Sequence, residues 1–212
     1  MDEPVLTTPL IKLCGLMRES DVDDALAAGA SALGVILAPS TRRVTPEQAS
    51  HLCRRVAGRA LSVAVFRQVP ESAIAADVAQ VAPDAVQLHD PPSSALLDEL
   101  RGRGCLVLRA LASADPGLSD LDDEPFDGIL LDGSEPGSGR VHDWGGATRR
   151  SWRRPLIAAG GLTSRTVREV ASWSWVRGVD VSSGIERAPG VKDPEAMREF
   201  VREARAGFEE GR

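Results

Sequence analysis

Tyrosine is absent from this 212-residue sequence, and aromatic residues of every kind make up only 4% of it. Lysine is nearly absent too: of 25 basic residues only Lys12 and Lys192 are lysine. An arginine-choosing chain therefore keeps a compact, flexible ammonium at two places. The three cysteines, Cys14, Cys53 and Cys105, are odd in number and share no metal-ligand spacing. That argues against a disulfide framework and gives no sign of a zinc site, so free thiols and no metal are expected. No apolar run is long enough to span a bilayer, and the acidic start Met1-Asp2-Glu3-Pro4 lacks a signal-peptide core, so a soluble cytoplasmic protein is expected. A formal net charge of -6 speaks against nucleic acid or an anionic membrane as partner. It leaves room for a local basic pocket that binds a small anion.

What is present is concentrated between Pro155 and Gly184, where two apolar runs each end in a glycine turn. Leu156 to Ala159 leads into Gly160-Gly161, and Gly178 to Val181 leads into Ser182-Ser183-Gly184. Glycines at a strand end let backbone N–H groups approach an anion, and a following helix N-terminus adds a favourable dipole. Either turn alone could equally well do no more than end its strand. Two such turns side by side suggest a phosphate clamp, which in (β/α)8 barrels falls after strands 7 and 8.

The rest of the chain repeats one rhythm. Strands are expected at 10–13, 32–37, 61–66, 85–88, 105–110, 126–131, 156–159 and 178–181. Helices are expected between them, near 20–28, 46–56, 70–81, 93–101, 113–121, 143–152 and 163–172, with a last one from Asp193-Pro194 to about 206. Thr45-Pro46-Glu47-Gln48 combines a capping box with proline at the first helical position. Eight apolar strands alternating with helices predict an α/β fold, a single (β/α)8 barrel over residues 1–212. An open doubly wound sheet is the alternative, disfavoured because only Cys14-Gly15 follows the first strand where a dinucleotide fold carries a glycine-rich turn.

In a closed barrel the residues just past each strand converge on one mouth. Those positions hold Cys14, Arg42, His89, Arg109, Asp132 and Asp180. The two-residue repeat puts Lys12 on the same side of its strand as Cys14, and Asp180 on the same side as Ser182. Strands 8 and 1 are neighbours in a barrel, so a buried Lys12 is expected to pair with Asp180, because a charge at that depth is costly alone. Cys14 is a candidate base or nucleophile if cationic help from Lys12 or an arginine yields a thiolate, and otherwise a small buried hydrophobe. Asp132, emerging from Ile129-Leu130-Leu131, is a candidate general acid or a solvated turn residue. Arg42 could hold a carboxylate through two hydrogen bonds or lie free in its loop, and His89 could orient substrate or be structural. Cys53 and Cys105 read as core.

The motifs Lys12-Leu13-Cys14-Gly15, Ala38-Pro39-Ser40-Thr41-Arg42, Val86-Gln87-Leu88-His89, Leu130-Leu131-Asp132, Gly137-Ser138-Gly139 with Asp143-Trp144, Gly160-Gly161-Leu162 and Asp180-Val181-Ser182-Ser183-Gly184 together resemble the phosphoribosylanthranilate isomerase family of tryptophan biosynthesis. That resemblance implies a (β/α)8 barrel performing an Amadori rearrangement on a phosphoribosylated anthranilate without a cofactor. It implies Cys14 as general base, Asp132 as general acid and Arg42 as partner of the anthranilate carboxylate; His89 and Asp180 are expected at the substrate from their place at the mouth. Gly160, Gly161, Ser182, Ser183 and Gly184 would form the phosphate site. The chain departs from the family pattern at Met17, Asp90 and Val35-Ile36-Leu37, where threonine, glycine and Phe-Val-Phe are usual.

Two rival readings follow from the same residues. The histidine-pathway isomerase performs this rearrangement on a bisphosphorylated substrate, but Gly15-Leu16-Met17 and His89-Asp90-Pro91-Pro92 offer no paired glycines for a second clamp. A catalytically silent barrel that binds a phosphorylated ligand would need no joint thiol and carboxyl. The expected partner is one small-molecule substrate, and the chain is expected to be a monomer or a homodimer.

Overall fold

The computed structural model describes residues 9–112, 125–133 and 153–211. Eight strands run in chain order: β1 (Leu10–Cys14), β2 (Ala32–Ile36), β3 (Leu61–Phe66), β4 (Ala85–Leu88), β5 (Leu106–Ala112), β6 (Gly128–Asp132), β7 (Leu156–Ala159) and β8 (Val176–Val181). Each pairs with the next in parallel, and β8 closes on β1 with Lys12 opposite Asp180. The predicted closed barrel is the one observed.

The strands are apolar on both sides because both sides are covered, as a parallel sheet requires. Leu10, Val63, Leu108, Leu130 and Ile157 fill the inside of the barrel. Their neighbours Ile11, Phe66, Val86, Ile129 and Leu131 face outward into the layer beneath the helices. Each such side chain, buried rather than left in water, contributes about 1.5–3 kcal/mol. Truncating a fully buried Ile157 to alanine costs about 2–5 kcal/mol.

The described helices are α1 (Glu19–Ala28), α2 (Pro46–Val56), α3 (Glu71–Val81), α4 (Ser94–Gly102), α5 (Val167–Ala171) and α6 (Pro194–Glu210). The Thr45 capping box is formed, with Thr45 Oγ1 accepting from Gln48 N and Gln48 Oε1 accepting from Thr45 N. Asp193 caps α6 by accepting from Glu195 N and Ala196 N. At α1 the start is one residue earlier than expected. Asp21 accepts from the backbone N–H groups of Met17 and Arg18, which fixes the turn upstream of Ser20.

Other boundaries shift for local reasons. β5 begins at Leu106, because the Cys105 N–H closes the end of α4 by donating to Leu100 O. β8 begins at Val176, and the helix before it is shorter than the expected 163–172. Its entry is held by the Thr163 N–H donating to Thr166 Oγ1, which makes a turn instead of a first helical turn. The helices expected at 113–121 and 143–152, and the motifs at Gly137-Ser138-Gly139 and Asp143-Trp144, lie outside the described residues. One element was not anticipated: a short antiparallel hairpin, β9 (Glu186–Ala188) and β10 (Val191–Lys192), between β8 and α6.

Candidate active site

The C-terminal ends of the strands surround a cavity of about 300 Å³. Ten of the residues expected at the mouth or the glycine turns line it: Cys14, Arg42, His89, Asp132, Gly160, Gly161, Asp180, Ser182, Ser183 and Gly184. Arg109 does not. Its guanidinium turns to the carbonyls of Leu88, His89 and Ala110, and so supports the end of β4 from below.

At the floor, Lys12 Nζ donates to Asp180 Oδ1 at 2.8 Å. Lys12 is fully buried and Asp180 nearly so, and the predicted pair is therefore present. Burial alone would lower the Lys12 pKa, but attraction to Asp180 and to Cys14 outweighs it and leaves Lys12 above its ordinary value.

Cys14, at the end of β1, packs on the inner side of the barrel. Burial pushes its thiol up, Lys12 pulls it down, Asp180 pushes it up again, and burial prevails. The cationic help expected from Lys12 is real but smaller than the cost of desolvating a thiolate. The thiol is thus held above its ordinary pKa. Cys53 and Cys105 are buried in the outer layer, where burial raises Cys53 to about 11 despite a hydrogen bond from Ser62.

Asp132 ends β6 half-buried at the cavity wall, with its register partner Ala159 on β7. Beyond Ala159, Gly160 and Gly161 both adopt left-handed φ, +85° and +68°. A side chain at Gly160 would collide with Asp132 Oδ1 and the Gly133 amide. Glycine there is what lets the β7 turn and the β6 carboxyl share one corner.

The turn after β8 is a single 3-10 turn, Ser183–Ile185. A Cβ at Gly184 would overlap the Leu162 carbonyl, so the two glycine turns touch directly. Ser182 Oγ is buried with no hydrogen-bond partner among the described residues. A buried hydroxyl left this way costs about 1–3 kcal/mol, and an anion in the corner would recover it.

His89, at the end of β4, is kept neutral: burial, then Lys12 and Arg67, lower its pKa to about 4. Its Nε2 lies 3.1 Å from Gln87 Nε2.

Sequence reasoning missed the network around Arg42. Arg42 Nε and Nη2 donate to the two carboxylate oxygens of Glu186, each at 2.7 Å. Lys192 Nζ donates to Glu186 Oε1 at 3.0 Å and to the Ser182 carbonyl at 2.8 Å. Burial pushes Glu186 up, but Arg42 and Lys192 bring its pKa down to about 2. Burial lowers Lys192, and Glu186 offsets only part of that. The one available signal was lysine scarcity, for both lysines of the chain lie at this site, each paired with a carboxylate.

A closed (β/α)8 barrel with a polar cavity at its C-terminal mouth, two touching glycine turns and a buried hydroxyl at one side, is the architecture of a sugar-phosphate barrel enzyme. The sequence model of the N-(5'phosphoribosyl)anthranilate (PRA) isomerase family matches residues 11–203. A relative from Paracoccus denitrificans named N-(5'-phosphoribosyl)anthranilate isomerase is 36% identical over 210 residues, covering 92% of this chain and 97% of its own. One of that name from Rhodopseudomonas palustris is 38% identical over 208 residues, covering 92% and 95%. The crystal structure of phosphoribosyl anthranilate isomerase from Thermotoga maritima superposes with a TM-score of 0.82 at 30% identity, over 93% of this chain and 99% of that one. This chain belongs to the phosphoribosylanthranilate isomerase family.

Proposed function

We propose that this chain, as one barrel domain over residues 1–212, converts N-(5'-phosphoribosyl)anthranilate to 1-(2-carboxyphenylamino)-1-deoxyribulose 5-phosphate with Cys14 as general base and Asp132 as general acid. Family membership supports the reaction. The observation that supports the residue roles is that thiol, carboxyl and both glycine turns line one cavity. Of the solved relatives, one phosphoribosyl anthranilate isomerase at 28% identity and a TM-score of 0.77 is a complex with reduced 1-(o-carboxyphenylamino)-1-deoxyribulose 5-phosphate.

In this reading the phosphate rests on Gly160, Gly161, Ser182, Ser183 and Gly184, and takes a hydrogen bond from the buried Ser182 hydroxyl. Asp132 protonates the furanose ring oxygen, the ring C–O bond breaks, and the anilino nitrogen supplies the electron pair for an iminium at C1. That cation acidifies the C2 proton and favours the neighbouring thiolate, which offsets the burial that raises the Cys14 pKa. Cys14 then removes the C2 proton, and the electron pair left behind neutralises the iminium to an enolamine. Loss of the C2 hydroxyl proton and protonation at C1 give the ketone. Arg42 meets the anthranilate carboxylate, neutral His89 lies along the sugar, and Asp180 is positioned by Lys12. No cofactor enters any step.

The test is loss of phosphoribosylanthranilate fluorescence with the wild-type chain, Cys14→Ser and Asp132→Asn. Each change lowers kcat by about 100-fold or more, as expected for removing a general acid or base. Near-normal turnover in either variant removes that residue from its role.

A further inference from the structure

The cavity holds a cation that neither the charge network nor the chemistry above uses. Arg67 directly follows Phe66, the last residue of β3, and lines the cavity while remaining largely exposed. Among the described residues it has no ion-pair partner and no side-chain hydrogen bond. Arg42, in contrast, has its Nε and Nη2 taken up by Glu186, and Lys12 and Lys192 are each engaged by a carboxylate.

Arg67 is also held in place. The His89 N–H donates to the Phe66 carbonyl, which ties the end of β3 to the end of β4. The next residue, Gln68, adopts φ +54°, a conformation rare for a side chain of that size, and its N–H donates to Asp90 Oδ2. Asp90, which stands where the family usually carries glycine, thereby stabilises the turn that carries Arg67. Its carboxylate is spent on backbone and does not pair with the guanidinium.

Barrel order fixes what lies near Arg67. In a closed ring of eight strands β3 stands opposite β7. Phosphate on the turns after β7 and β8, and a sugar between Cys14 on β1 and Asp132 on β6, leave the aromatic end of the substrate to point toward the β2 to β4 side. On that side, among the described residues that line the cavity, the cation without an ion pair is Arg67. We infer that Arg67 is a second binding residue for the aromatic carboxylate, selecting an anionic aglycone from the far side of the mouth while Arg42 approaches it with the edge that Glu186 leaves free.

This inference rests on the isomerase reading, and calorimetry with two ligands separates them. The first is the reduced product, the 1-(o-carboxyphenylamino) compound, and the second is the same molecule without its carboxyl. Arg67→Ala is expected to weaken the carboxylated ligand about tenfold, the scale of one charge-assisted hydrogen bond partly open to water. It should leave the second ligand within about twofold, since an exposed side chain carries little of the fold. Added salt should shrink the difference between the ligands in the wild type more than in Arg67→Ala. Equal weakening of both ligands by Arg67→Ala, or no weakening of either, overturns the inference while leaving the isomerase reading standing. A wild-type chain that neither binds the carboxylated ligand nor turns over phosphoribosylanthranilate overturns both.

Discussion

Arg42 and Glu186, 144 residues apart in sequence, meet through two hydrogen bonds of 2.7 Å at the mouth of the barrel. The loop after β2 is thereby fastened to the hairpin after β8, and through Lys192 to the Ser182 carbonyl at the glycine turn. The residues proposed for the carboxylate and those proposed for the phosphate are thus mechanically joined. The joint is a carboxylate between two cations, so it responds to acid.

Glu186 has a folded pKa of about 2 against an ordinary 4.5. A carboxylate with a lowered folded value contributes stability above its unfolded pKa and loses it as pH falls through the folded one. Urea unfolding from pH 5 to 2 should therefore show a pH-dependent loss that Glu186→Gln reduces. An unchanged slope in Glu186→Gln would mean the pair adds nothing to acid stability.

Lys12 and Asp180 make the complementary case, a buried pair with little water around it. Lys12→Met leaves an uncompensated buried carboxylate and should cost about 3–5 kcal/mol. Replacing both partners, with Lys12→Met and Asp180→Leu, should cost less than the sum of the single changes. Denaturant midpoints test this, and strict additivity would show that the two charges do not couple.

His89 is neutral across the physiological range because its folded pKa is about 4 against an ordinary 6.5. The unfolded chain binds the proton first as pH drops, so this residue makes stability rise with pH between about 4 and 6.5. NMR titration of the imidazole should give a midpoint near 4. A midpoint near 6.5 would place His89 in water and away from Lys12 and Arg67.

Gly160→Ala should act on Asp132, the proposed general acid, by direct contact. Its Cβ would strike the Asp132 carboxyl and the Gly133 amide, and the residue would be strained at φ +85°. A displacement of about 1 Å at the acid should lower kcat by about 100-fold. Steady-state kinetics on a variant whose circular dichroism is intact checks this, and an unaltered kcat would show that the corner yields without moving the acid.

The barrel was legible because each of its elements is coded locally. Strands such as 61–66 are short apolar runs between turn residues, and α2 announces itself with Thr45, Pro46 and Gln48. The Lys12 to Asp180 pair was legible for a less local reason. Two-residue alternation and the closure of β8 on β1 together leave one place for a buried ammonium. The hairpin at Glu186–Lys192 was not legible, since its two strands have three and two residues and no period can be read from so few. Glu186 therefore went unremarked, although it engages Arg42 more closely than any other residue does.

Sequence by itself determined the order of the described strands and helices, the closed barrel and most of the polar groups at its mouth, because periodicity and strand-end position are properties of neighbouring residues. Tertiary structure decided how those groups share their charge: that burial outweighs Lys12 at Cys14, that Glu186 occupies two donors of Arg42, and that Arg67 has no ion-pair partner among the described residues. Such outcomes depend on distance and desolvation between residues far apart in the chain, and those quantities exist only once the ring has closed.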